Sequence, residues 1–129
     1  MIDTIKINQI IWIGDDEAEL ILNDGSHECR AFCHPCDFRE GEIVSNRLNV
    51  LDAVDVRVSN DSEPEIEQLK SSSGLCHRIV ALVIDLNESS LQKTGAVAVG
   101  PFEFQGIPFP GDVRKDDLVE FEVSRLDVY

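Results

Sequence analysis

Five side chains of metal-ligand type crowd one short stretch of this sequence: His27, Cys29, Cys33, His34 and Cys36. Thiolate and imidazole are the donors zinc prefers, and a structural zinc site needs four of them in a tetrahedron. A zinc site here would draw on Cys29, Cys33, His34 and Cys36, with Cys76 and His77 as a distant pair. The spacing is unlike that of a zinc knuckle, whose two close pairs of ligands stand well apart. Cys76 beside His77 also fails as a nucleophile and its base, because neighbours on a strand point to opposite faces. There is no nucleophile elbow, phosphate-binding glycine loop or paired-histidine helix. Carboxylate pairs such as Asp15-Asp16 and Asp116-Asp117 are what 25 acidic residues produce by composition alone. No enzymatic activity and no cofactor are expected.

An internal repeat bears on the cysteines. Laid over the stretch from Gly100 to Asp127 without a gap, the stretch from Gly25 to Asp52 is identical at eight positions. They are Gly25/Gly100, Glu28/Glu103, Pro35/Pro110, Asp37/Asp112, Arg39/Arg114, Val44/Val119, Leu51/Leu126 and Asp52/Asp127, where average composition gives roughly two by chance. In this alignment Phe102, Phe104 and Phe109 stand where the first copy has His27, Cys29 and His34. A position that accepts Phe in one copy reads as core in the other, and a reduced cysteine behaves as a small buried hydrophobe. The stretch is therefore expected to be packed core, without bound metal. In the shared Pro-x-Asp-x-Arg corner, Asp37 and Asp112 are expected to cap a turn and Arg39 and Arg114 to pack across it.

The elements that carry these residues read as strands. Apolar residues run through Ile5 to Ile13 up to the turn Gly14-Asp15-Asp16, and Glu17 to Leu22 follows. Asn23-Asp24-Gly25 is a hairpin signal, and His27 to Phe32 is the returning strand. Beyond the Pro35 corner and Gly41 come a segment from Ile43 and the alternating Val54 to Val58. Further strands are Arg78 to Asp85, apolar enough to be buried on both faces, Ala96 to Val99, Phe102 to Ile107 and Leu118 to Val123. The polar stretch 60–74 predicts one short helix, Glu63 to Lys70, with Pro64 in its first turn and Ile66 and Leu69 on one face. Ser71 to Gly74 then reads as a loop. The expectation is one all-β domain over 1–129, with units of about 5–58 and 78–128 joined by the 60–74 segment. Two β-meander units would close into a small OB-like barrel or a sandwich and so hide their edges.

Charge bounds the partners. The chain has 129 residues, 43% of them apolar, with 25 acidic against 11 basic residues and a net charge of −14. It repels phosphate backbones and anionic lipid, so neither nucleic acid nor membrane is an expected partner, and it attracts basic proteins. The start, Met1-Ile2-Asp3-Thr4, has no basic region and no long apolar run, and the longest apolar run is Ile79 to Ile84. A cytoplasmic protein with reduced cysteines is expected. Acids gather at Asp15, Asp16, Glu17 and Glu19, at Asp61, Glu63, Glu65 and Glu67, and at Asp116, Asp117, Glu120 and Glu122. The candidate partner-binding residues are Asp15, Asp16, Glu17, Asp116, Asp117, Glu120 and Glu122, provided that two groups share a face.

In size and acidity, across the whole chain, the sequence resembles the small acidic immunity proteins that bacteria encode beside polymorphic or contact-dependent toxins. The resemblance is one of general type and brings no binding residues with it. It implies stoichiometric occlusion of a basic partner, for example a nuclease toxin, with no cofactor. Two other readings stand beside it. One is an OB-type module for oligonucleotide or oligosaccharide, with Phe102, Phe104 and Phe109 as a stacking surface. The other is a zinc-stabilised scaffold subunit.

Overall fold

Alternating apolar and polar residues draw more than half of the chain into strands. A computed structural model describes residues 4–69, 75–88 and 93–128. The strands are β1 (Thr4–Trp12), β2 (Ala18–Asn23), β3 (Glu28–Cys33), β4 (Ile43–Ser45), β5 (Arg47–Leu51) and β6 (Val54–Val58). After them come β7 (Glu65–Gln68), β8 (His77–Asn87), β9 (Thr94–Val99), β10 (Phe102–Pro108), β11 (Leu118–Val123) and β12 (Arg125–Val128). The fold is all-β, and the described residues contain no helix.

The expected helix from Glu63 is instead strand β7, with Lys70 and the loop 71–74 outside the described residues. Glu65, Ile66 and Glu67 alternate, so a strand turns Ile66 inward opposite Ile79 of β8 and leaves both glutamates exposed. Two apolar residues three apart could not outweigh that ladder.

All the strands join one 12-stranded sheet, in the order β4-β1-β2-β3-β12-β5-β10-β9-β8-β11-β6, with β7 paired to β8. Leaving β6 aside, the order reads alike from both ends. Inward from β4 it runs β1, β2, β3, β12, and inward from β11 it runs β8, β9, β10, β5. The last strand of each unit crosses to the other: β12 lies parallel to β3 and β5 parallel to β10, while β5 and β12 pair antiparallel at the centre. The irregularities correspond as well. The β1–β2 ladder shifts register between Ile7 and Gln9, and the β8–β9 ladder between Val83 and Asp85.

The gap-free alignment fails in two places. A bulge at Gly106, φ 80°, shifts β10 by one residue, so that buried Phe109 matches buried Cys33 and not His34, which is exposed. The bend after β11 falls at Ser124 and the bend after β4 at Asn46, three residues earlier than a constant offset requires. Leu48 and Leu126, both fully buried, become counterparts across those bends, whereas Leu51 is exposed.

The inward residues of both halves form one hydrophobic cluster. With no helix to cover it, a sheet this wide buries one face only by curling over itself. It does not close into a barrel. β7 extends the β8 side toward β3, yet no ladder joins β7 to β3. At this seam the Arg30 backbone N–H donates to His77 Nε2 at 3.1 Å.

Candidate functional site

The metal-ligand stretch lies mostly in the core. Cys29 and Cys33 are buried on β3 opposite Leu22 and Ala18, and the Cys36 backbone N–H donates to the Asp16 carbonyl at 2.6 Å. Burial pushes the Cys29 thiol well up, and burial with a hydrogen bond to Cys36 pushes Cys33 up to about 12. Both thiols are held protonated at neutral pH. The two histidines depart from the core expectation. His27 is half-buried, and the exposed His34 has Nδ1 3.6 Å from Asp16 and 3.7 Å from Glu17. Among the described residues no three His, Cys, Asp or Glu side chains converge as a metal site.

Phe102, Phe104 and Phe109 are buried and offer no stacking surface. Cys76 is half-buried and its neighbour His77 fully buried, so the two do not form a reactive pair. Because the Arg30 N–H takes Nε2, the single imidazole proton sits on Nδ1 and is donated to the Leu75 carbonyl at 2.8 Å. Burial, aided by the Arg30 charge, holds the His77 pKa below its ordinary value although the Leu75 bond opposes this. His77 thus ties β8 to β3, a role with no signal in the sequence.

The acidic groups fare differently. At the β1–β2 tip, Asp15 and Asp16 are exposed beside Trp12 and Ile13, each about half exposed. The strand expected over Ile5 to Ile13 ends at Trp12, and Ile13 belongs to the tip. Asp61, Glu65 and Glu120 meet at Arg78, at 3.2, 3.3 and 2.6 Å, and Glu120 also receives Arg57 at 3.2 Å. Glu120 is therefore committed inside the fold. Asp117 accepts the Arg114 backbone N–H at 2.9 Å, whereas Asp116 and Glu122 are exposed and have no ion pair among the described residues. The tip lies beside β2 and the other carboxylates on and before β11, with β3, β12, β5, β10, β9 and β8 between them in the sheet order.

The corner is capped by residues other than those expected. Arg39 N–H donates to Glu42 Oε1 at 2.6 Å, as Arg114 N–H does to Asp117, while Asp37 and Asp112 are exposed. In both corners the capping carboxylate stands three residues after the arginine, not two before it.

A cavity of about 550 Å³ lies where the β2–β3 and β9–β10 turns meet, lined by Asp24, Asn46, Gly100, Pro101 and Glu103 among others. Asn46 Nδ2 donates to the Pro101 carbonyl at 2.6 Å, and the Glu103 carboxylate lies 3.3 Å from Arg47. Burial works to raise the Asp24 pKa, but N–H donors from His27 and Ser26 outweigh it and hold the carboxyl below its ordinary value. Both carboxylates here are engaged with the chain itself. No helix among the described residues is long and apolar enough to cross a membrane. The chain matches no protein-family model, no curated protein and no solved structure.

Proposed function

We propose that this chain is a non-enzymatic, cytoplasmic binding protein of the bacterial immunity type, which docks on a basic partner such as a nuclease toxin and occludes it. The observation that carries this reading is the way charge is divided. Arg30, Arg47, Arg57, Arg78, Lys93 and Arg125 all face carboxylates of the chain itself. The acidic surplus is left on exposed groups such as Asp15, Asp116 and Glu122. A field of this kind speeds association with a cation-rich surface and is screened within about 8 Å at physiological salt. Trp12 and Ile13 beside Asp15 and Asp16 supply an apolar anchor of the kind that dominates interface energies.

The test is kinetic. A partner recovered on the immobilised chain should be basic, and its association should slow several-fold from low to high salt, with less change in dissociation. Converting Asp15, Asp16, Asp116 and Glu122 to amides should slow association more than four scattered changes. Trp12→Ala should act mainly on dissociation. Glu120→Gln should loosen the fold instead, because Arg78 and Arg57 lose the carboxylate charge they share. A neutral or acidic partner, a salt-independent association rate, or tight binding of single-stranded DNA or RNA at physiological salt would overturn the reading.

A further inference from the structure

The near-symmetry of the sheet leaves one place filled in one half and open in the other. β11 and β4 are counterparts. β11 pairs with β8 through Leu118↔Leu82, Val119↔Ala81 and Glu120↔Val80, and β4 pairs with β1 through Ile43↔Lys6, Val44↔Ile5 and Ser45↔Thr4. On its far side β11 carries β6, with Val58 opposite Val119 and Arg57 opposite Glu120, and the Ser59 N–H donating to the Leu118 carbonyl at 2.8 Å. Among the described residues no strand lies on the far side of β4. There Ile43, the counterpart of half-buried Leu118, is 61% exposed, the highest value among the large hydrophobic residues described. By the shared register, the Ile43 carbonyl points away from β1.

We propose that the outer edge of β4 is a strand-addition site, filled by an extended segment of a partner protein that runs antiparallel to it. β6 is the template for that occupant. Its alternation, Val54-Asp55-Val56-Arg57-Val58, shows the chemistry: β-branched apolar residues at every second position, one of them opposite Val44. The residue that follows donates its N–H to the Ile43 carbonyl, and the added backbone covers the Ile43 side chain. Main-chain hydrogen bonds supply the affinity and the alternate side chains the selectivity. The short length of β4, three residues, keeps such an edge from pairing indiscriminately. This site does not depend on the acidic surface, because the charges of the β6 template, Asp55 and Arg57, cancel.

The probe is a synthetic peptide of residues 53–60 added to the isotope-labelled full chain. Saturable amide shifts should appear at Ile43, Val44 and Ser45 and across the ladder at Thr4, Ile5 and Lys6, with amide exchange of β4 slowed about tenfold. The same peptide methylated on the Ser59 nitrogen should produce neither effect, since it has lost the donor for the Ile43 carbonyl. Ile43→Asp, at an exposed position, should leave the unfolding midpoint near wild type and weaken the peptide several-fold. Absence of shifts at millimolar peptide would overturn the proposal, as would shifts confined to β11, meaning exchange with β6. Equal binding of the methylated peptide, or a dimer of the free chain that already protects β4, would also overturn it. None of these outcomes touches the salt-dependent capture of a basic partner, so the two readings fail separately.

Discussion

The two halves keep one register and fill it in opposite ways. In the first, β2 brings the large residues, Leu20 and Leu22, against the small Ala31 and Cys29 of β3. In the second, β9 brings Gly95 and Val97 against Ile107 and Phe104 of β10. What a strand gives up in volume its neighbour supplies, so the ladder is preserved although hardly any inward residue is shared. A Cβ on Gly95 would collide with the Asp85 carbonyl and crowd the Phe109 ring, whereas the counterpart in β2 is a leucine. Packing to interior density constrains the sum across facing positions, not each position alone.

The largest effects should come from breaking that exchange of volume. Phe104→Ala should cost about 3–5 kcal/mol, and Cys29→Ala at the matching site about 1 kcal/mol, measured by denaturant unfolding with two coincident probes. Cys29→Phe alone should lose about 1–3 kcal/mol by overpacking. Adding Leu22→Val, which copies the Val97–Phe104 pair into the first half, should restore most of that loss. If the double variant is no more stable than Cys29→Phe, the halves do not compensate in this way.

A smaller effect separates the seam from the rest of the sheet. The imidazole of His77 is buried and neutral, accepting from Arg30 and donating to Leu75. Its pKa in the folded chain lies below the ordinary 6.5. The unfolded chain therefore binds a proton that the folded chain resists, and stability rises with pH in that window. The contribution is complete above about pH 6.5 and is lost as pH falls below that toward the folded value. His77→Phe should remove this part of the pH dependence and cost about 1–3 kcal/mol at pH 7.5, because the Arg30 N–H loses its acceptor. Every other titratable group is common to both proteins, so the difference in unfolding free energy between pH 7.5 and 5.5 isolates His77. A constant difference would rule out the depressed pKa.

Most strands were legible because period two is a local signal, although β12 and the break between β4 and β5 were not. The core position of Cys29 was legible too, since Phe104 stands over it, whereas Cys33 stands over Pro108 without a gap and matches Phe109 only across the bulge. Three things lay beyond a gap-free reading. The bulge at Gly106 and the unequal lengths of β4 and β11 displaced the matches to His34 and Leu51. The exchange of β5 and β12 between halves depends on long-range pairing, which no local window contains. β7 was missed because a helical spacing of two apolar residues, Ile66 and Leu69, looked as good as a strand until β8 was there to pair with it. At the candidate surface the acid runs were visible in the sequence; Asp15, Asp16 and Asp116 fall at bends or turns, and Glu120 and Glu122 on β11. Which of them were committed depended on the arginines across neighbouring strands, and that separated Glu120 from Asp116 and Glu122.

The corners offer the finest comparison, because their hydrogen-bond frames agree to within a few tenths of an ångström while their residues differ. Ile7 N–H donates to the Glu42 carbonyl at 2.8 Å and Val83 N–H to that of Asp117 at 2.9 Å. Gly41 and Asp116 each donate their N–H at 3.0 Å, to the carbonyls of Ile7 and Val83. Both adopt positive φ, 88° for Gly41 and 73° for Asp116. Glycine enters that region freely, and aspartate is among the few other residues that tolerate it. Asp116 is therefore explained by the backbone of its turn as well as by its charge. Glu42→Ala and Asp117→Ala should each cost about 1 kcal/mol, as loss of a side-chain acceptor for a turn N–H typically does. Asp37→Ala and Asp112→Ala should stay within about 0.5 kcal/mol, as exposed substitutions do. Gly41→Asp should be milder than Gly41→Val, since a β-branched side chain is the poorest fit to positive φ. Matching denaturant midpoints for all four alanine variants would mean that the backbone hydrogen bonds hold the corner without either cap. Arg39 and Arg114 would then serve the corner through their carbonyls, which accept the Glu42 and Asp117 N–H groups at 3.1 Å, a role any residue fills.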